Sequence, residues 1–140
     1  MAHDSKNLYF YIECDSDISL PADGGWMRLF IDADCNRATG WEGYDYMVSR
    51  VPNTTPAAYL EHCQGTAWMW TDAVPVDYRQ QGNRLFFIIP KQLLGIGRRQ
   101  SFRLQFKWSD NMQKEGDILD FLINGDVAPM GRFNYEFIGN

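Results

Sequence analysis

The chain is poor in cysteine and histidine, and the few that it has are far apart. Its 140 residues include 3 Cys and 2 His, and no two cysteines form a CxxC pair. Zinc sites bring cysteines or histidines together in close pairs, so Cys14, Cys35 and Cys63 do not indicate one. We expect them to be small buried or half-buried side chains, because free cysteine behaves as a small hydrophobe.

Long apolar runs and an excess of positive charge are also missing. No apolar stretch approaches the roughly 18 to 20 residues that would span a bilayer. The net charge is −5, and the one basic cluster is the pair Arg98 and Arg99. Nucleic-acid binding needs a basic stripe that displaces counterions from phosphates. We therefore expect no nucleic-acid partner and no membrane insertion.

The amino terminus lacks the basic and apolar layout of a signal peptide. We expect residues 1–6 to be a disordered tail or an added leader, in which case a natural signal sequence is not excluded. The sequence is thus compatible with a secreted, periplasmic or cell-surface location.

Aromatic residues are abundant, with 5 Trp, 7 Tyr and 9 Phe. This is more than a core of this size needs, so we expect some rings on the surface, where flat side chains serve binding. A chain of this length is near the commonest single-domain size, and we expect residues 7–140 to form one domain around one core.

Most of the chain alternates apolar and polar residues with the period of two that is typical of half-buried strands. The predicted strands are residues 7–13, 26–32, 44–50, 57–62, 74–78, 84–90, 102–108 and 132–137. Polar turns at 22–25, 51–56 and 81–83 separate several of them. Short strands at this spacing predict an all-β fold, which we expect to be a two-sheet antiparallel β-sandwich of the jelly-roll kind. Residues 90–94 predict one short helical connector, which starts at Pro90 and stops at Gly95.

An acidic loop follows the second predicted strand. Asp32, Asp34 and Asn36 place oxygen-bearing side chains at alternate positions, and such side chains can converge on a hard cation such as Ca²⁺. Asp45, at the start of the next strand, would close the site, with help from Thr39.

This loop departs from the EF-hand pattern. Its sixth position is Arg37 instead of Gly, its twelfth is Gly43 instead of Glu, and no helices flank it. The alternative to a metal site is a network of Asx turns, in which Asp32, Asp34 and Asn36 accept hydrogen bonds from backbone amides.

The segment LFIDADCNRATGWEGYDY at 29–46 resembles a signature of bacterial carbohydrate-binding-like β-sandwich domains, similar to family 9 carbohydrate-binding modules and the DOMON-like group. Residues 89–90 and 94–95 are similar to the IP…LG connector of those domains. Segments 106–111, 117–121, 124–129 and 132–135 resemble their carboxy-terminal end. The resemblance spans about residues 7–137 and implies a β-sandwich with a structural Ca²⁺ held by Asp32, Asp34, Asn36 and Asp45.

Sugar-binding surfaces stack exposed aromatic rings on pyranose faces while polar side chains meet the hydroxyls. The candidate ligand-binding residues are Trp41, Tyr44, Trp68, Trp70, Asp110 and Asn111. Trp41 is the residue that we most expect on the surface. Trp68 and Trp70 share one strand face, and they are core residues if that face points inward.

The predicted function is a non-catalytic carbohydrate-binding-like module of a larger secreted or surface bacterial protein. We expect a monomeric module whose partner is a glycan or a neighbouring domain of the parent protein. One alternative is a structural or protein-interaction sandwich without a sugar ligand. A minor alternative is a glycoside hydrolase that uses Glu115, Asp117 or Asp120, although acidic residues on a turn are usually solvated surface.

Overall fold

A computed structural model describes residues 1–19, 26–49, 58–97 and 101–140. Its strands are β1 (Ala2–His3), β2 (Asn7–Glu13), β3 (Arg28–Asp32), β4 (Tyr46–Val48), β5 (Ala58–Cys63), β6 (Trp70–Gln81), β7 (Arg84–Pro90), β8 (Phe102–Asp110), β9 (Asp126–Ala128) and β10 (Tyr135–Gly139). A 3₁₀ turn spans Lys91–Leu94, and helix α1 spans Asp120–Ile123. The all-β prediction is therefore confirmed for the described residues.

The strands form a curled antiparallel sheet in the order β1-β2-β7-β6-β5-β4-β3-β8-β10, with β9 also paired to β8. Strand β6 has two different partners along its length. Residues 70–76 pair with β5, and residues 77–81 pair with β7. One continuous strand thus joins the two halves of the sheet.

The main core lies between strands that are distant in the sheet order. Alternate residues of β2 and β7 point inward, as the period of two predicts, and Phe10 and Phe87 are fully buried. The Phe10 ring lies 5.2 Å from that of Phe106, and the Phe87 ring stacks 5.4 Å from that of Trp108. Because both partners belong to β8, these contacts cross the interior of the curled sheet.

A second cluster covers the opposite face of β3. Leu29 and Ile31 belong to the main core, whereas Phe30 between them packs in the second cluster with residues that include Met112 and Phe121. Every residue of β3 is therefore buried. The segment between β8 and β9 supplies the cover for this face.

Several predicted boundaries are wrong. The strand predicted at 74–78 extends over Trp70–Gln81, and the one predicted at 132–137 lies at Tyr135–Gly139. The short connector at 91–94 is confirmed, with Gly95 left-handed at its end, but α1 was not predicted. It has only four residues and no side-chain cap, so it leaves little signal in the sequence.

Residues 1–6 are not a disordered tail. Ala2 and His3 pair with β2, and the Asp4 carboxylate accepts the amides of Lys6 and Asn7, each at 2.7 Å. The predicted turns at 22–25 and 51–56, the strand ends at 50 and 57, and the basic pair at 98–99 lie outside the described residues. Neither helix in the described part of the chain has the length and apolar character needed to cross a bilayer.

Candidate functional site

The acidic loop gathers three carboxylates at one end of the sheet. One carboxylate oxygen from each of Asp32, Asp34 and Asp45 lies within 4.8 Å of the others. Backbone bonding brings them together, since the Asp45 amide donates to the Ile31 carbonyl at 2.9 Å as the loop returns beside β3. These three residues, the acidic triad, could hold a hard cation.

Asn36 and Thr39 belong to the same loop but are hydrogen-bonded within it. Asn36 Oδ1 accepts the Ala38 amide at 3.0 Å, and Thr39 Oγ1 donates to the Asp34 carboxylate at 3.0 Å. Asp34 also accepts the Asn36 amide at 2.9 Å. The Asx turns predicted as the alternative are therefore present at Asp34 and Asn36.

Asp32 differs from its neighbours in the triad. Its side chain is only 3 % exposed, and its Oδ1 atom has no hydrogen-bond partner among the described residues. Burial, and then the charges of Asp45 and Asp34, raise the pKa of Asp32 to about 6. Burial also raises the pKa of Asp45, whose Oδ2 accepts the Ala33 amide at 2.8 Å. A bound cation would satisfy the unpaired oxygen and offset the repulsion, so the residues fit such an ion.

The predicted aromatic platform is not on the surface. Trp41 is 4 % exposed, and Tyr44 and Trp70 are also buried, so the expectation that Trp41 is exposed is wrong. Paired backbone bonds between Trp41 and Tyr44, of 3.0 and 2.8 Å, form a tight turn. This turn packs both rings against Phe30, at 5.7 and 5.3 Å between centroids.

Trp68 and Trp70 share the inward face of their segment. Trp68 is half-buried and meets Trp41 edge-on at 4.5 Å, whereas Met69 between the two tryptophans is 55 % exposed. The interpretation of Trp68 and Trp70 as packing residues is therefore the one that the structure favours.

Asp110 and Asn111 organise the turn that follows β8. The Asp110 carboxylate accepts the Asn111 amide at 2.9 Å, and Asn111 Nδ2 donates to the Asn124 carbonyl at 3.2 Å. Asn111 adopts a left-handed φ of 58°. The first bond is local to the turn, and the second connects the turn to the segment before β9, so both side chains have structural hydrogen bonds.

The acidic residues of the hydrolase alternative have structural contacts. Glu115 forms an ion pair with the buried Arg28. Asp117 accepts the Leu119 amide at 3.0 Å. The fully buried Asp120 accepts the amide of Gln113 at 2.6 Å, together with bonds from Lys114 and Asn124.

A surface that the sequence pattern did not predict lies on the outer face of β2, β7 and β6. Tyr11, Phe86 and Arg79 are consecutive partners across these strands. The Tyr11 and Phe86 rings are 4.6 Å apart, and 38 % and 39 % of these residues is exposed. We call this surface, with the next row of Glu13, Arg84 and Gln81, the outer aromatic face.

The outer aromatic face is also concave. Its aromatic, Arg and Gln side chains line a cleft of about 630 Å³ that reaches the amino-terminal residues Met1 and Ala2. The sequence feature that could have predicted this face is Tyr11, the second tyrosine in NLYFYIE. Its position shows that aromatic rings point to both faces of β2.

Comparison of the chain with family models, with curated proteins and with solved structures finds no match.

Proposed function

We propose that the chain is a non-catalytic carbohydrate-binding module whose glycan site is the outer aromatic face. The observation that supports it is the solvent-exposed pair Tyr11 and Phe86, flanked by Arg79 and Arg84 in a shallow cleft. Stacking of pyranose rings on exposed aromatic side chains, with polar groups alongside, suits the binding of a saccharide chain. Such a module would belong to a larger secreted or cell-surface protein.

The architecture that we propose for this module is a two-sheet β-sandwich. One sheet would consist of β1, β2, β7 and residues 77–81, and the other of residues 70–76 with β5, β4, β3, β8, β9 and β10. The contact of Phe10 with Phe106 and that of Phe87 with Trp108 support face-to-face packing of the two. The outer aromatic face would then be the solvent side of the smaller sheet.

The polar groups of this face are available to a ligand. Arg84 Nε lies 3.5 Å from Glu13, and both side chains are about half exposed. An exposed ion pair of this kind contributes little and exchanges readily. Arg79 and Arg84 can therefore turn to sugar hydroxyls, and Tyr11 keeps its ring in place through a hydrogen bond to Glu13.

Affinity electrophoresis tests the glycan site. We would include β-glucan, xylan, galactomannan and pectin separately in native gels and measure the retardation of the wild-type chain. Tyr11→Ala and Phe86→Ala should each weaken binding about tenfold, because an aromatic contact of this kind is worth about 1.4 kcal/mol. Phe133→Ala is the matched control, since Phe133 is 77 % exposed but lies outside the cleft. Retardation that survives the double substitution would place the glycan elsewhere, and no retardation on any polysaccharide would contradict the function.

We also propose that the acidic triad binds a structural Ca²⁺, with Asn36 and Thr39 ordering the loop around it. The buried and unpaired Asp32 Oδ1 supports this assignment. When bound, the ion would supply charge neutralisation to a site whose carboxylates otherwise repel one another. Thermal melting in CaCl₂ and in EGTA, with elemental analysis of the purified protein, tests it. An identical melting temperature in both buffers and the absence of calcium would refute it.

A second candidate function is docking to a neighbouring domain of the parent protein. Met130 and Phe133 are 81 % and 77 % exposed, and Leu122 and Ile123 on α1 are also exposed. Exposed apolar groups of this size support an interaction surface. Hydroxyl-radical footprinting of this chain alone and within the parent protein would test this docking, because a docked domain should protect Met130 from oxidation. Equal oxidation in both would exclude this patch.

A further inference from the structure

We infer that the cavity beside the acidic loop binds a small organic monocarboxylate with an apolar body. This cavity, of about 380 Å³, lies between the loop and the segment that contains α1. Its charged lining residues are Asp32, Arg37, Glu42, Lys107 and Arg132. Its volume is within the range of small-molecule sites, and it lies apart from the outer aromatic face.

Lys107 gives the cavity a fixed positive wall. Its Nζ atom donates to the carbonyls of Pro129, Gly131 and Phe133, at 2.6, 3.0 and 2.8 Å. Three donated bonds require all three protons, so the side chain is a buried ammonium group. It has no donor left for a ligand, but its charge favours an anion nearby and its bonds hold the loop at residues 129–133.

Arg37 and Arg132 are the groups that can bind the anion directly. Neither forms an ion pair or a hydrogen bond with any residue that the structure describes. A guanidinium group matches the planar geometry of a carboxylate and binds it through paired hydrogen bonds. Two unpaired arginines in one cavity are therefore suited to a carboxylate head group.

The remaining charges set the charge that a ligand would balance. Asp32 and Glu42 line the same cavity and offset two of the three cationic side chains, Arg37, Lys107 and Arg132. The excess of one positive charge is balanced by one carboxylate, whereas a doubly charged phosphate would leave an excess of negative charge. The cavity thus favours a monoanion.

Helix α1 provides the apolar wall. Leu119 and Leu122 are 54 % and 62 % exposed, and Phe121 is buried beneath them. A ligand that covered both leucines would remove apolar surface from water, which favours binding. Tyr44 and Asn134 fix the opposite side through a hydrogen bond of 2.7 Å. An aryl or branched alkyl group attached to the carboxylate fits this arrangement.

A pair of isosteric probes tests the inference. We would titrate the ¹⁵N-labelled chain with 4-phenylbutyrate and with 4-phenylbutyramide and follow backbone amide shifts. We expect the acid to bind at least fivefold more tightly than the amide, with shifts at residues 117–122 and 130–134. Equal affinities, shifts confined to other regions, or no shift at 10 mM acid would overturn the inference.

Matched variants separate the head group from the apolar wall. Arg132→Gln should weaken binding of the acid at least fivefold and leave the amide unchanged, whereas Leu122→Ser should weaken both. Arg103→Gln is the control, because Arg103 is an exposed arginine outside the cavity. Wild-type affinity of Arg132→Gln for the acid, in a variant whose spectrum is that of the folded chain, would overturn the role of the guanidinium.

Discussion

Asp32 and Asp45 have carboxylate oxygens within 4.8 Å of each other where β3 ends and the chain returns to β4, yet these carboxylates differ in hydrogen bonding. Asp45 Oδ2 accepts the Ala33 amide at 2.8 Å, whereas Asp32 Oδ1 has no partner among the described residues. At neutral pH the loop therefore holds two partly desolvated carboxylates close together. The repulsion between them should lower the free energy of unfolding by a measurable amount when no cation is present.

Replacing Asp32 should separate stability from cation binding. In EGTA at pH 7.5, Asp32→Asn should stabilise the chain by about 1 to 2 kcal/mol, because it removes a buried charge without changing the side-chain volume. The same variant should lose any rise in melting temperature on addition of CaCl₂. Asp15→Asn, an exposed carboxylate outside the triad, should behave as wild type. A destabilised Asp32→Asn chain in EGTA would show that the charge is tolerated.

Asp32 should also give the cation-free chain an unusual pH dependence. Its folded-state pKa is about 6, above the unfolded value near 4. The folded state then binds the Asp32 proton more tightly than the unfolded state does. Protonation of Asp32 therefore stabilises the fold; this stabilisation is complete below pH 4 and is lost as the pH rises through 6. Relative to Asp32→Asn, wild type should lose about 2 kcal/mol between pH 4 and pH 7.5. Urea unfolding of both chains in EGTA measures the difference, and a constant difference across this range would contradict the prediction.

Asp120 should have the opposite pH dependence. Burial raises its pKa, but the hydrogen bonds from Asn124, Lys114 and Gln113 outweigh burial and lower the pKa overall. The contribution of the ionised Asp120 to the free energy of unfolding is therefore present above the unfolded-state pKa near 4, and it is lost as the pH falls below that value. Asp120→Ala should destabilise the chain by about 3 kcal/mol at pH 7, because it removes three hydrogen bonds to a buried carboxylate. Asp15→Ala serves as the control in the same urea titration, and equal stabilities of the two variants would refute this role.

Gly40 should be the glycine in the acidic loop that tolerates alanine least. Its φ is 68°, and an added Cβ would collide with the backbone carbonyl of Tyr44. Gly40→Ala should cost at least about 3 kcal/mol, since positive φ and a backbone clash add together. Gly65 is the matched comparison, because it has a φ of 72° and open space around it, so Gly65→Ala should cost only about 1 kcal/mol. Thermal melting of both variants tests this, and similar melting temperatures would show that the loop can shift.

The sequence predicted those features that depend on neighbouring residues. Alternation placed Leu8 and Phe10 inside, and the spacing of Asp32 and Asp34 predicted their approach, because both patterns act within a few residues. The strand ends at residues 78 and 132 were wrong, since pairing with β7 and β8 extends or shifts a strand beyond its own pattern.

The burial of Trp41 could not be predicted in the same way. It depends on Phe30, Met112 and Phe121, which come from separate parts of the chain and meet only in the folded protein. The outer aromatic face was missed for a different reason. The alternating pattern of residues 7–13 did not single out Tyr11, whose flat ring pairs with that of Phe86 only once β2 lies beside β7.

The double pairing of β6 has a consequence for unfolding. Each half of the curled sheet depends on the same twelve residues, because residues 70–76 pair with β5 and residues 77–81 pair with β7. Unfolding of residues 70–76 therefore loosens residues 77–81, because the two segments are continuous in the backbone of β6. A constant force applied between the two termini should unfold the chain in one step, without a populated intermediate.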